Sequence, residues 1–370
     1  MSEATLLVDT SFLGDVLCAE PLVRATKGQF PGPIDFLTSG GGAGMLAGHP
    51  DLREVMVYDK RGAQKGLGGM LRMARLLRGK SYARVFCSHR SWRTAMMLRL
   101  SRIPERVCFD NAAGANLYTR QIPYPKELHE IERNLALIGG GDWQRPRIFP
   151  TGSERARAEQ LTPEAGFVAV APGSIWATKR WPEEHYASLI QMLVADGQRL
   201  VILGGPDDCA LSARILELSA ETFGLDPSVF GLDPQALGLD PSSFGLDPQR
   251  SGLDPSTFSE STPQIIDLCG KTNLRESYAV LERAACLVTN DSSPMHMGVA
   301  ADIPVVAVFC STIPAFGFSP RGPRDIVLEV KDLPCRPCGI HGHPTCPEKH
   351  FDCGKKTIPQ MVMAEVAERL

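Results

Sequence analysis

The sequence predicts an α/β protein built from two doubly wound, Rossmann-like domains, each with a parallel sheet. Three observations support this prediction. Short apolar runs alternate with helical patterns early in the chain, and the same alternation begins again near residue 167. Such alternation is typical of parallel sheets with helices on both faces. The length of 370 residues fits two domains of about 150 residues each.

In the first half, apolar runs predict strands and helical spacing predicts two helices. The chain leaves the first strand through a loop that includes Gly14, and a helical pattern then extends to about Lys27. The predicted strands are residues 5–8, 34–37, 54–58 and 84–87, and the second predicted helix is residues 70–77.

The second half repeats this pattern and has clearer helix boundaries. Pro182 suits the first turn of a helix that Gly197 ends. Asn273 and Glu276 resemble a capping box at the start of a helix through Leu281. The predicted strands are residues 167–171, 200–203, 265–268, 286–289 and 305–309, and residues 359–370 are predicted to form a terminal helix.

Two further features define the domain organisation. Residues 140–155 are rich in Gly, Pro and Arg and predict a linker, which gives domains of residues 1–150 and 151–370. Between residues 224 and 258, Gly-Leu-Asp-Pro recurs five times at a spacing of seven. The proline in each copy excludes a coiled coil, and Gly with Asp-Pro favours turns. We therefore predict a flexible, turn-rich surface insertion at residues 224–258.

Composition excludes several classes of protein. The formal net charge of −3 provides no overall basic field for a nucleic-acid backbone. No apolar run approaches the length of about 20 residues that spans a bilayer. The beginning of the chain also lacks the pattern of a signal peptide. We therefore expect a cytoplasmic protein that does not bind nucleic acid.

Polar motifs follow several predicted strands, where open α/β sheets bind their ligands. In the first motif, residues 9–15, Gly14 allows a close approach or an unusual turn. Asp15 lies where a helix begins. Two interpretations of Asp15 remain open, because a carboxylate at this position can cap the helix or act as a general base.

The second motif, residues 171–182, places Lys179 and Arg180 just before a helix N-terminus. Together with Ser174 and Thr178, these residues predict a phosphate site. A solvated basic turn is the alternative interpretation of the same residues.

The third motif, residues 289–296, ends a strand and begins a helix with Pro294 in its first turn. Free amides at such a helix start bind a diphosphate, and Asp291 is suited to accept hydrogen bonds from sugar hydroxyls. His296 is either a structural histidine or a group that faces the same site.

Five segments of the chain share their order and spacing with one enzyme family. They are residues 11–16 (Ser-Phe-Leu-Gly-Asp-Val) with Pro21-Leu22, residues 172–182, residues 203–208 (Leu-Gly-Gly-Pro-Asp-Asp), residues 270–274 (Gly-Lys-Thr-x-Leu) and residues 290–296 (Asn-Asp-Ser-x-x-Met-His). Together they resemble glycosyltransferase family 9, the ADP-heptose:lipopolysaccharide heptosyltransferases. The Lys-Arg-Trp-Pro form of residues 179–182 is most similar to the heptosyltransferase II branch.

The resemblance implies a GT-B fold, in which two Rossmann-like domains face a cleft. It implies acceptor binding by residues 1–150 and donor binding by residues 151–370. The implied reaction is an inverting transfer of heptose from ADP-heptose to a lipopolysaccharide inner-core acceptor.

The family pattern also implies roles for individual residues. Asp15 resembles the base that deprotonates the acceptor hydroxyl, with Ser11 and Gly14 on the acceptor side, and Lys179 resembles the lysine that neutralises the donor diphosphate. The family usually has Gly where this chain has Ser293. The other residues of the predicted donor site are Ser174, Thr178, Asp208 near the ribose, Thr272 near the nucleotide, and Asp291, Ser292, Ser293 and His296 in the donor motif.

Catalysis by this set of residues needs no cofactor, because a lysine and helix-start amides stabilise the departing ADP. A separate cluster of cysteines, interleaved with histidines, allows a structural zinc site. Reduced cysteines without metal and disulfides are the alternatives. The four cysteines are Cys335, Cys338, Cys346 and Cys353.

The expected partners are ADP-heptose and a lipid-linked lipopolysaccharide core acceptor, so we also expect peripheral contact with the inner membrane. Two alternatives remain open, namely transfer from another nucleotide-sugar and a nucleotide-binding module without catalysis. The presence of Asp15 argues against the second alternative. A group of arginines in the acceptor domain either meets acceptor phosphates or forms a solvated helix face: Arg90, Arg93, Arg99 and Arg102.

Overall fold

The computed structural model describes residues 3–60, 62–223 and 265–370. The predicted insertion at residues 224–258 lies outside the described residues. The chain divides into two compact units: Met1–Thr151 with Ala315–Phe318, and Gly152–Pro314 with Ser319–Leu370. The division falls within the predicted linker, but the short segment Ala315–Phe318 was not expected in the first unit. The acceptor and donor roles of the two units stay predictions.

The first unit is built on a parallel sheet with the strand order β3-β2-β1-β4-β5-β6. All four residues of the first strand are buried, as expected for a parallel strand that is covered on both faces. The strands are β1 (Thr5–Val8), β2 (Ile34–Thr38), β3 (Leu52–Val57), β4 (Arg84–Cys87), β5 (Glu105–Phe109) and β6 (Arg120–Ile122).

Helices cover both faces of this sheet. They are α1 (Leu13–Cys18), α2 (Glu20–Gln29), α3 (Gly40–Leu46), α4 (Gly66–Gly79), α5 (Trp92–Leu100) and α6 (Glu130–Ala136). α4 and α5 share one core, to which they contribute Met73, Leu77 and Leu98. α1, α2 and α3 pack on a second core around Phe36. The predicted loop through Gly14 is wrong, because α1 already begins at Leu13.

The second unit repeats the architecture with the strand order β12-β11-β10-β7-β8-β9. Within the described residues, each of the two sheets has six parallel strands, which confirms the predicted α/β, doubly wound fold. The strands are β7 (Phe167–Ala171), β8 (Leu200–Ile202), β9 (Ile265–Asp267), β10 (Ala284–Asn290), β11 (Val305–Phe309) and β12 (Ile326–Glu329).

The helices of the second unit begin close to the predicted residues. Asn273 accepts hydrogen bonds from the backbone N–H groups of Arg275 and Glu276, which confirms the predicted capping box. Pro182 is the N-cap residue of its helix. The helices are α7 (Gly152–Leu161), α8 (Glu183–Ala195), α9 (Cys209–Phe223), α10 (Leu274–Leu281), α11 (Ser293–Ala300), α12 (Asp352–Lys355) and α13 (Pro359–Ala367).

Asn290, the last residue of β10, ties the end of β7 to the start of α8. Its Oδ1 accepts hydrogen bonds from the Trp181 N–H at 2.9 Å and from the Tyr186 hydroxyl at 3.0 Å. Its Nδ2 donates to the Pro172 carbonyl oxygen at 2.6 Å. Asn290, Trp181 and Tyr186 are all buried, so water does not replace these bonds when one partner is removed.

We predict that Asn290→Ala lowers the free energy of unfolding by about 3 kcal/mol, because it leaves several buried polar groups without partners. Tyr186→Phe is the control, since it removes one of these hydrogen bonds and costs about 1 kcal/mol. Urea denaturation of both variants measures the difference. Equal losses would contradict a central role for the Asn290 amide.

Candidate active site

The main cluster of candidate residues lies in the second unit, where β7, β10 and β11 end. Lys179 Nζ lies 2.6 Å from Asp291 Oδ2. The Thr312 hydroxyl donates to the same carboxylate oxygen at 2.7 Å. Asp291 and Thr312 are buried. The structure thus brings together two of the predicted donor-site residues and adds Thr312, which the sequence analysis missed.

His296, in α11, belongs to the same cluster. Burial lowers its pKa to about 4, the negative charge of Asp291 opposes this change, and Lys179 adds to it. The imidazole is therefore neutral near pH 7. A neutral ring in this position takes part in hydrogen bonding and packing, and it does not supply a positive charge to a ligand.

The start of α11 provides a second feature of the site. Ser292 is the N-cap residue, and its side chain makes no capping hydrogen bond. Its hydroxyl oxygen is buried and lacks a hydrogen-bond partner among the described residues. Ser293 and Pro294 form the first turn. Free amides and an unsatisfied hydroxyl at a helix start suit an anionic ligand.

Asp208 and Thr272, two other predicted donor residues, are hydrogen-bonded to residues nearby in the chain. Asp208 accepts a hydrogen bond from the Gly205 N–H at 2.9 Å, and a Cβ on Gly173 would collide with the Asp208 carboxylate. The loops after β7 and β8 therefore approach each other closely. The Thr272 hydroxyl is hydrogen-bonded to the Ser277 hydroxyl at 2.7 Å.

Arg180 and Lys179, the basic pair of the second motif, contact different groups. Arg180 Nε donates to the Ser174 carbonyl oxygen at 2.7 Å, so Arg180 shapes the loop. Lys179 instead reaches the buried carboxylate of Asp291. This division favours Lys179 over Arg180 as the residue that meets a phosphate, and it does not fit a solvated basic turn.

A cysteine-rich segment docks on the loop that carries Lys179. The His343 N–H donates to the Thr178 hydroxyl oxygen at 2.7 Å, and the Thr178 N–H donates to the His343 carbonyl oxygen at 3.1 Å. Gly342 has a φ of +82°, and a Cβ there would lie 2.9 Å from Thr178 Oγ1 and 3.2 Å from Lys179 Cγ. Sequence analysis missed this contact because the two segments are far apart in the chain.

The cysteines of that segment are free thiols. Cys335 Sγ lies 3.9 Å from His350 Nε2, and burial raises the pKa of Cys353 to about 11. Within residues 3–60, 62–223 and 265–370, no three His, Cys, Asp or Glu side chains are arranged to hold a metal ion. The four thiols, which include those of Cys338 and Cys346, are therefore not arranged as a metal site. Structural zinc stays a prediction.

In the first unit, the motif after β1 surrounds two carboxylates. Asp9 is buried and accepts hydrogen bonds from the Ser11 N–H at 2.8 Å and the Ser88 hydroxyl at 2.6 Å. Asp15 Oδ2 accepts one from the Phe12 N–H at 3.2 Å at the start of α1, so it does cap the helix. Gly14 lies in the first turn of α1, and the prediction of an unusual turn there is wrong.

The arginines of the first unit fall into two groups. The Arg90 guanidinium lies 4.7 Å from the centre of the Tyr124 ring, and Arg93 Nε donates to the Tyr58 hydroxyl oxygen at 2.9 Å. Both side chains therefore pack within the unit. Arg99, in α5, and Arg102, just after it, are exposed, so both alternatives for these two residues stay open.

The sequence model of glycosyltransferase family 9 (heptosyltransferase) matches residues 70–226 and 257–349. The chain belongs to glycosyltransferase family 9. Lipopolysaccharide heptosyltransferase 2 from Salmonella typhimurium is 23% identical to this family 9 chain over 329 residues, which cover 84% of each protein.

Solved structures show the same fold for this glycosyltransferase. E. coli ADP-heptose lipopolysaccharide heptosyltransferase II superposes with a TM-score of 0.73 at 19% identity and covers 100% of this chain and 98% of its own. An E. coli heptosyltransferase with ADP-2-deoxy-2-fluoro heptose has a TM-score of 0.63 at 19% identity, over 99% of this chain and all of its own. The GT-B fold class implied by the motifs is thereby confirmed.

No helix in the described part of this family 9 protein is both long enough and apolar enough to cross a membrane.

We predict that Gly342→Ala destabilises the protein more than Gly339→Ala. Both glycines have positive φ values, +82° and +86°, but a Cβ on Gly339 meets nothing within 4 Å. Both variants therefore incur about 1 kcal/mol of backbone strain, and only Gly342→Ala adds about 1–3 kcal/mol of overpacking. Thermal and urea unfolding measure the difference, and similar losses for the two variants would rule out the tight docking of this segment.

Proposed function

We propose that this family 9 glycosyltransferase transfers heptose, with inversion, from ADP-heptose to a lipid-linked lipopolysaccharide inner-core acceptor. We place the reaction in the cytoplasm, at the inner membrane. The observation that carries the proposal is the Lys179–Asp291–Thr312 cluster beside the start of α11. The match to the family model and the solved relative with an ADP-heptose analogue support the choice of donor.

The donor side works through an exchange of partners at Lys179. In the structure its ammonium group is paired with Asp291. A diphosphate offers the lysine a second anion, and the Ser292 hydroxyl and the α11 amides offer hydrogen bonds to the same group. The Asp291 carboxylate then accepts hydrogen bonds from the sugar. As the bond between sugar and phosphate breaks, these donors stabilise the negative charge that develops on ADP, so the proposed chemistry needs no metal.

The acceptor side needs a carboxylate that an acceptor hydroxyl can reach. Asp9 is unsuited because it is buried and both of its oxygens accept hydrogen bonds from Ser11 and Ser88. Asp15 is partly exposed at the start of α1, so an acceptor hydroxyl can approach its carboxylate from outside the unit. We therefore assign the base to Asp15, which removes the hydroxyl proton as the new bond forms.

Ser293 motivates one alternative, transfer from a different nucleotide-sugar. The family usually has Gly at this position, and the first turn of α11 is where the diphosphate is expected. A competition assay with ADP-heptose against ADP-glucose and UDP-glucose tests this alternative, because the preferred donor shows the higher kcat/KM.

The decisive experiment incubates the protein with ADP-heptose and a heptose-deficient lipopolysaccharide acceptor and measures ADP release. Release that needs both components supports the proposal. Folded protein that releases no ADP overturns it, and release without acceptor identifies a hydrolase.

We expect Asp15→Asn to lower kcat at least about 100-fold, because it removes a general base, and to leave ADP affinity unchanged. The Asn oxygen still accepts the hydrogen bond from the Phe12 N–H, so the helix cap is retained. Steady-state kinetics and calorimetric titration with ADP measure the two effects. Normal turnover by a well-folded variant would show that another group is the base.

We expect Lys179→Ala to weaken ADP binding about 10-fold to 100-fold, because a charge-assisted hydrogen bond to the diphosphate is lost. Arg180→Ala is the control, since that side chain bonds to the Ser174 carbonyl oxygen. Calorimetric titration with ADP compares the two variants. A larger loss for Arg180→Ala would move the phosphate contact to Arg180.

A further inference from the structure

One stretch of the first unit has a charge unlike that of the whole chain. Residues 60–104 contain twelve lysines and arginines and neither aspartate nor glutamate, although the chain as a whole has a net charge of −3. This stretch includes both helices on one face of the first sheet, α4 and α5. The exposed arginines of these two helices, Arg72, Arg75 and Arg78 in α4 and Arg99 in α5, give that face a basic surface.

The outer sides of these two helices are also unusually apolar. The exposed fraction is 73% for Leu67 and 46% for Leu76 in α4, and 54% for Trp92 in α5. Leu71 and Leu100 are also exposed. The opposite sides of both helices are buried in one core, so the outer sides face away from the sheet in the same direction.

Basic side chains lie between these exposed apolar residues. Leu67, Leu71, Arg75 and Arg78 recur at helical spacing along one stripe of α4, and all four are exposed. No carboxylate among the described residues forms an ion pair with Arg72, or with Arg75 and Arg78, whereas most arginines of the second unit that the structure describes do have such partners. These charges are available to an external anionic partner.

This surface, which we call the α4/α5 face, lies beside the acceptor side of the first unit. α4 and α5 begin after β3 and β4, so their N-terminal ends lie at the carboxyl edge of the parallel sheet. α1 and Asp15 follow β1 at that same edge. A lipid-linked acceptor bound near Asp15 would extend towards a bilayer that contacts the adjoining face.

We propose that the α4/α5 face docks on the surface of an anionic lipid bilayer. This inference rests on the proposed function, whose acceptor is lipid-linked, and it specifies which surface meets the membrane. Exposed Leu and Trp side chains insert at the level of the lipid headgroups, and unpaired arginines contact the lipid phosphates. An acidic protein partner would explain only the arginines. A bilayer also explains the exposed leucines and tryptophan that lie between them.

The test compares sedimentation of the full-length protein with vesicles that contain phosphatidylglycerol and with vesicles of pure phosphatidylcholine. We expect binding to the anionic vesicles that weakens as salt is added. Arg75→Glu/Arg78→Glu should lower this affinity at least about tenfold. Arg157→Glu/Lys331→Glu is the matched control, because it makes the same change in charge at exposed positions of the second unit and should bind normally.

A second variant tests the apolar half of the face. Leu67→Ser/Leu71→Ser should weaken binding while the net charge stays the same. Both side chains are exposed, so thermal unfolding should be unchanged. Wild-type protein that does not bind anionic vesicles, or equal affinities for the Arg75→Glu/Arg78→Glu variant and its control, would overturn the inference.

Activity separates this inference from the proposed function. On a deacylated, water-soluble acceptor, Arg75→Glu/Arg78→Glu should keep the wild-type kcat and KM. On acceptor embedded in anionic vesicles, its apparent KM should rise while kcat stays constant. Wild-type protein that binds the vesicles but transfers to neither acceptor would contradict the proposed function and leave the docking surface supported. Equal loss on both acceptors would show that the two arginines do not act through the membrane.

Discussion

Parallel pairing of the strands is the constraint on which the candidate site depends. In the second unit β10 pairs with β7 on one side and with β11 on the other, so that Thr289 lies opposite both Ala171 and Ala307. All three strands therefore end at one edge of the sheet. The segments that follow them carry Lys179, Asp291 and Thr312, which meet although Lys179 lies more than a hundred residues before the other two in the chain.

The balance of charge within this cluster explains how it can bind a ligand and still fold without one. A buried carboxylate needs partners, and Lys179 and Thr312 supply them to Asp291. The same ammonium group is attracted to any diphosphate that enters. The diphosphate can then replace the Asp291 carboxylate as the anionic partner of Lys179. His296 stays neutral because burial lowers its pKa to about 4, which keeps a third charge out of this balance.

Most strands with continuous apolar residues were predicted close to their observed bounds, because burial on both faces of a parallel sheet demands such residues. The predictions missed β5, which begins with the charged residues Glu105 and Arg106, and two strands at sheet edges, β6 and β12. β6 contains Arg120 and Gln121, both exposed, and β12 is only partly buried, so neither leaves a strong apolar signal. α5 was missed because Arg93 and Arg99 interrupt its apolar pattern.

The sequence by itself determined the doubly wound fold class, the membership in glycosyltransferase family 9 and the motifs at the strand ends, because short-range periodicity and motif spacing are properties of the chain. Only the tertiary structure decided which of the motif side chains meet. It paired Lys179 with Asp291, directed Arg180 to its own loop, added Thr312 and docked Gly342 against Thr178. It also placed α4 and α5 on one face. Contacts between distant segments depend on strand order and register, which no local pattern encodes.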